Sequence, residues 1–271
     1  MNIIGFALAG VIGLSLGLMG GGGSILTVPV FVYVLGFAAK PAIAMSLPVV
    51  GATSLVGALG HWRAGNVHLR TALLFGVIAM VGSYFGARLA IFVSGTVQLM
   101  LLAIVMLGAA ISMLRPKRKV ASPDGGEPAG GASLPVGKLV AVGLSVGILT
   151  GIVGIGGGFL IVPALVVLGR VPMKQAVGTS LLVIAMNSLS GFAGYFGTVD
   201  IPWAFLASFT AVSIAGILVG TYLVRFVSAA ALKRGFAVFL LFIGSVMMYQ
   251  NRSVFTSGAA LGNHAATGAR K

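Results

Sequence analysis

Two stretches of this chain combine residue types that could hold an anion. In the first, Gly20, Gly21, Gly22 and Gly23 lead into Ser24 and Ile25, with Pro29 shortly after. In the second, Gly154, Gly156, Gly157 and Gly158 lead into Phe159, with Pro163 at the matching distance. Glycine runs interrupt helices because they carry a backbone entropy cost and accept positive φ. A helix restarting after such a break presents bare N–H groups and about half a positive charge, which suits an anion. The candidate donors are Gly22, Gly23, Ser24 and Ile25, and their equivalents Gly156, Gly157, Gly158 and Phe159, with Ser24 as a candidate N-cap. Ser46, Thr179 and Ser180 follow downstream. Each hydroxyl could donate to an anion oxygen or bond back to its own helix or a neighbour.

Other chemistries lack their residues. The acidic residues are Asp124, Glu127 and Asp200, none paired within an apolar segment. The three histidines are scattered and there are no cysteines, so neither an enzyme constellation nor a metal-ligand set is expected, and no cofactor. The glycines are not a nucleotide loop: no Gly-Lys-Ser/Thr closes either run, and no soluble strand–helix unit surrounds them.

The elements that must position these residues are membrane helices. Hydrophobic residues make up 58% of the chain and charged ones only 7%, with a mean hydropathy of +1.12. Soluble domains carry about 25% charged residues, so the expected class is all-α, a polytopic helical membrane protein. The formal charge of +14 sits in short loops, where it sets orientation and meets anionic lipid, with no basic-aromatic face for nucleic acid.

Apolar segments are expected at 3–19, 25–35, 41–60, 71–93 and 97–114, and again at 139–153, 159–168, 176–196, 203–224 and 230–249. This divides the chain into a first transmembrane repeat (1–114), a cytoplasmic linker (115–137), a second repeat (138–250) and a flexible tail (251–271). The N-terminal segment lacks a positive n-region and has a mid-chain counterpart, so it is expected to belong to the mature protein.

The repeat keeps one ungapped register of 134 positions. Gly13, Gly17, Gly20 and Pro29 match Gly147, Gly151, Gly154 and Pro163; Lys40, Ser46, Ser54 and Gly57 match Lys174, Ser180, Ser188 and Gly191. Gly82 and Gly86 match Gly216 and Gly220, spacings that suit close helix packing. With the basic linker in the cytoplasm, loop charges place Arg170 and Lys174 inside and Lys40 outside, so the two repeats are expected to be inverted. The second segment of each repeat is too short to cross a roughly 30 Å core upright, which leaves a re-entrant hairpin or a strongly tilted crossing. Arg88 is expected to snorkel to the headgroups. Lys40 and Lys174 suit either electrostatic mouths or interface anchors, and His61 and His68 are expected to be incidental near a loop.

The glycine run through Ser24 to Pro29, its copy from Gly154 to Pro163, and the downstream Ala42, Ala44, Ser46, Leu47 and Ala176, Gly178, Thr179, Ser180, Leu181 together resemble the sulfite exporter TauE/SafE family over nearly the whole chain outside the linker and tail. That resemblance implies duplicated bundles that move sulfur-containing anions such as sulfite, sulfoacetate or other organosulfonates, usually outward. The partners expected are a small anionic substrate and membrane lipid, in a multi-pass protein of the bacterial inner (cell) membrane, with homo-oligomerisation left open. Two alternatives stand beside this expectation: a carrier of carboxylates or other organic anions, and a non-transporting scaffold whose glycines only pack.

Overall fold

The computed structural model describes residues 3–114, 136–154, 161–162, 165, 173–223 and 229–251. Among them every regular element is helical: α1 (Ile3–Met19), α2 (Ser24–Pro29), α3 (Ala39–Arg63), α4 (Leu69–Ala90), α5 (Gly95–Leu114), α6 (Val136–Val153), α7 (Met173–Tyr195), α8 (Trp203–Leu223) and α9 (Ala229–Gln250). Among the described residues, four helices are long and apolar enough to cross a membrane: α3, α4, Gln175–Tyr195 of α7, and α8. Leu73, Val77, Val81 and Phe85 of α4 stay exposed, an apolar outer face that suits lipid.

Helix α2 shows how proline shapes a short buried element. Pro29 has no N–H, and its ring crowds the carbonyl one turn earlier. The helix widens directly after it into a π-helical stretch, Val30–Val34, in which the Leu35 N–H reaches back five residues to Val30 O at 3.0 Å.

Glycine decides which helices touch. An added Cβ at Gly13 would overlap the carbonyl of Ser213, and one at Gly17 would stand 2.5 Å from that of Ile217, so α1 lies directly on α8. The second half does the same against the first. Cβ atoms at Gly147 and Gly151 would overlap the carbonyls of Ala79 and Ser83, so α6 lies on α4. Gly82 and Gly86 admit the α6 backbone at Leu144 and Ile148, and Gly216 and Gly220 admit α1 at Gly10 and Leu14. Every one of these partners maps onto its counterpart by the 134-residue register. The halves therefore interlock: α1 of the first packs on α8 of the second, and α6 of the second packs on α4 of the first.

Between these pairs lies the α3–α7 contact. Gly57 meets Leu181, Gly51 meets Ser188, and Gly191 meets Leu47. Rising numbers on α3 face falling numbers on α7, so these two equivalent helices run in opposite directions. Both are largely buried along this face, from Ala42 to Ala58 on one and from Ala176 to Gly191 on the other.

Candidate functional site

The first glycine break is a turn between α1 and α2. Gly20 takes φ +71°, the left-handed region that glycine enters without penalty, and its N–H closes α1 on Leu16 O at 2.8 Å. Gly154 ends α6 in the same way, with φ +74° and its N–H on Thr150 O at 2.8 Å. Both lack side chains for a second reason. A Cβ on Gly20 would come within 2.6 Å of Val177 Cγ1, and one on Gly154 would overlap Ile43 Cγ2; Ile43 and Val177 are themselves equivalent residues.

Gly20 and Gly154 each meet a serine from the opposite half. Ser180 Oγ–H lies 2.8 Å from Val177 O in its own helix and 3.2 Å from Gly20 O. Ser46 Oγ–H does likewise, 2.7 Å from Ile43 O and within reach of Gly154 O. A hydroxyl has one proton, so it is shared between the two carbonyls in each case. The sequence left Ser46 and Ser180 two roles, contact with an anion or a bond to their own helix or a neighbour, and in the structure each hydroxyl lies on a carbonyl of its own helix and a glycine carbonyl of the other half. All four groups are buried.

The start of α2 differs from expectation in one respect. Gly23, not Ser24, occupies the N-cap, with no side-chain cap, and Ser24 Oγ–H instead donates to Gly21 O at 2.7 Å. The first-turn N–H groups of α2 are consequently free of any capping side chain. Gly22, Gly23, Ser24 and Ile25 are all buried, and Gly23 must be glycine because a Cβ there would sit 2.5 Å from Ile12 O and 2.7 Å from Leu16 N. Their equivalents Gly156, Gly157, Gly158 and Phe159 lie outside the described residues.

Thr179 does something else. Its Oγ1 accepts the His68 N–H at 3.0 Å, while His68 Nε2 lies 2.7 Å from Gln175 Oε1. Gly178 leaves room for this docking, since a Cβ there would overlap Asn66 O. The loop after α3 is thus fastened to the first turns of α7. The opposite corner has Pro41, Ala44, Met45 and Pro202 at the matching positions, which can make neither bond. Here the two halves part company.

Lys40 and Arg88 go to structural partners. Lys40 Nζ donates to Ile91 O at 2.9 Å, placing a cation at the C-terminal end of α4, where the helix dipole favours it. Arg88 is exposed, lies over the Tyr84 ring at 5.6 Å and points along the outer face of α4. His61 is buried in the last turn of α3, next to the loop.

The two breaks do not adjoin. Ser46 and its glycine stand at the Leu47 level of α3, and Ser180 with its glycine at the Leu181 level of α7, which faces Gly57. Ten residues of α3 separate those levels, about 15 Å at about 1.5 Å per residue. The breaks therefore flank the α3–α7 crossing on opposite sides of its centre.

The sequence has relatives among known proteins. The family described as Sulfite exporter TauE/SafE matches residues 5–247. The chain belongs to this family. A protein of Xylella fastidiosa (strain 9a5c), named as a probable membrane transporter protein, is 31% identical over 253 residues, covering 92% of this chain and 95% of its own. The Bacillus subtilis (strain 168) probable membrane transporter protein YdhB is 26% identical over 236 residues, covering 85% and 92% respectively. No solved structure matches. This TauE/SafE member thus shares nearly full-length similarity with proteins named as transporters, and none of these names is that of an enzyme.

Proposed function

We propose that this chain is a multi-pass secondary transporter of the cell membrane that exports small sulfur-containing anions, of the sulfite, sulfoacetate or organosulfonate kind. The observation that carries the reading is the reciprocal pair of glycine breaks, each held by a serine of the other half. Paired broken helices at equivalent positions of inverted repeats are the arrangement expected of a carrier with its site at the repeat interface. The antiparallel α3–α7 pair supports inversion, because equivalent helices that oppose each other imply a twofold axis across them. In this scheme α1 and α2 form a re-entrant hairpin, and the uncapped N–H groups that open α2 lend positive potential to the anion's path along the repeat interface. Ser46 and Ser180 position the breaks, and rocking of the interlocked halves alternates access.

The family description favours sulfite-type substrates. A carboxylate carrier remains the second reading, since backbone N–H groups accept either oxyanion. An anion leaving a negative-inside cell gains about 2.3 kcal/mol per charge per 100 mV. The apolar segments hold no carboxylate relay, so we propose that potential or the substrate gradient drives efflux.

The test is thermal stabilisation of the purified protein by sulfite, sulfoacetate and acetate, paired with flux in proteoliposomes. Stabilisation and flux with the first two support the proposal. Preference for acetate favours the carboxylate carrier, and no response to any anion favours a scaffold.

A further inference from the structure

We infer that the oxyanion is held midway between the two breaks, by the hydroxyls of Ser54 and Ser188 where α3 crosses α7, with His61 lining the approach from the α3–α4 loop. This inference rests on the transport reading and names residues that it leaves unassigned.

Ser54 and Ser188 are fully buried, and neither hydroxyl has a hydrogen-bond partner among the described residues. A serine in a helix usually returns its proton to a carbonyl one turn back, as Ser46 and Ser180 do here. Buried polar groups left without partners are uncommon and call for an explanation. These two are register equivalents, so the same omission occurs twice at matched positions. The other buried hydroxyls without a partner among the described residues, Thr27, Thr53 and Ser213, have no hydroxyl at the matched position.

Their placement follows from the crossing. Ser188 abuts Gly51, whose added Cβ would lie 3.3 Å from the serine Cβ. On α3, Ser54 shares a face with Leu47, Gly51 and Gly57, the residues that meet α7, because positions three, four and seven apart align on a helix. Ser188 therefore stands at the Gly51 level, about one helical turn, or roughly 5 Å, from Ser54 along the axis. Two hydroxyls so spaced can each donate to a different oxygen of one small oxyanion.

The same face continues to His61, seven residues on. It is 7% exposed, and both of its ring nitrogens also lack partners among the described residues. A Cβ at Gly178 would come within 2.9 Å of His61 Cβ, which sets the histidine against α7 too. Three buried polar side chains thus follow the α3–α7 interface inward from the loop. Glycines at 51, 57, 178 and 191 keep this interface thin, so a small separation of the two helices opens room beside the hydroxyls. The ligand class follows from charge. Asp124, Glu127 and Asp200 are the chain's only carboxylates, and none stands in α3 or α7 to balance a bound cation.

The test compares wild-type protein with the Ser54→Ala/Ser188→Ala variant, using sulfite as probe, with sulfoacetate and acetate in parallel arms. Without anion, the variant is expected to melt at the wild-type temperature or above, since two unpartnered hydroxyls are removed. With sulfite, the wild-type rise in Tm should vanish, and KM for flux in proteoliposomes should rise at least tenfold. Ser54→Thr/Ser188→Thr, which keeps both donors, should retain the response, and it separates loss of a donor from loss of packing. A double alanine variant that keeps the wild-type sulfite-induced Tm shift and KM overturns the inference while leaving the transport reading intact. A wild-type protein silent to all three anions overturns the transport reading itself.

Discussion

Ser180 Oγ lies 3.2 Å from the carbonyl of Gly20, a residue 160 positions earlier in the chain. Its equivalent, Ser46, reaches Gly154. Each half of the protein thereby supplies a hydroxyl to the glycine that ends the first helix of the other half.

Removing one of these hydroxyls should be felt in both stability and transport. Ser180→Ala and Ser46→Ala should each lower stability by about 1 kcal/mol, the usual net worth of a buried hydrogen bond. Chemical denaturation in detergent micelles measures this. Similar losses at both positions are expected, since the two environments match.

The interlocking glycines should not tolerate a methyl group. At Gly147 an added Cβ overlaps the Ala79 carbonyl, while at Gly108 nothing lies within 4 Å. Gly147→Ala should therefore destabilise by about 1–3 kcal/mol through overpacking. Gly108→Ala should be neutral or stabilise by roughly 0.5–1 kcal/mol through helix propensity. Equal effects would show that the α4–α6 contact is looser than described.

The left-handed glycines add backbone strain to overlap. Gly20→Ala combines φ +71° with a contact of 2.6 Å to Val177 Cγ1. The left-handed conformation alone costs a residue with Cβ about 1–2 kcal/mol. Gly36→Ala, with φ +74° and open space around it, isolates that strain. We expect Gly20→Ala to abolish flux with membrane insertion retained, and Gly36→Ala to cost stability alone.

The one-sided docking of the α3–α4 loop predicts asymmetric accessibility. Because the chain has no cysteine, Asn66→Cys gives a single labelling site beside the Thr179 and Gln175 contacts. Thr179→Val and Gln175→Leu remove the partners of His68 and should speed maleimide labelling at position 66 several-fold. Unchanged labelling would mean that the His68 bonds do not hold the loop.

The driving force can be separated in liposomes. Flux should follow an imposed membrane voltage, with little response to a pH gradient at fixed voltage. Flux that tracks the pH gradient and ignores voltage would rule out potential-driven efflux.

Much of the architecture was legible in one dimension. Composition alone required apolar helices, because 7% charged residues cannot cover a water-facing surface. The segment expected at 3–19 is α1 to the residue, and most other ends fall within three residues, because glycine runs, prolines and basic loops punctuate membrane helices sharply. The 134-residue register was readable too, since matched Lys, Ser and Pro are rare enough in an apolar sequence to align without gaps.

What the sequence by itself determined is therefore the class, the helix boundaries and the equivalence of Gly20 with Gly154. Only the tertiary structure decided where the hydroxyls go. Ser46 and Ser54 are both serines on α3, and both have a matched partner on α7. One pair shares its protons with glycine carbonyls of the opposite half, and the other pair has no partner among the described residues. The physical reason is that a hydroxyl's role depends on which backbone comes within about 3 Å of it. That proximity is created by the packing of α1 on α8 and α6 on α4, contacts between residues some 65 to 200 positions apart that no local pattern encodes.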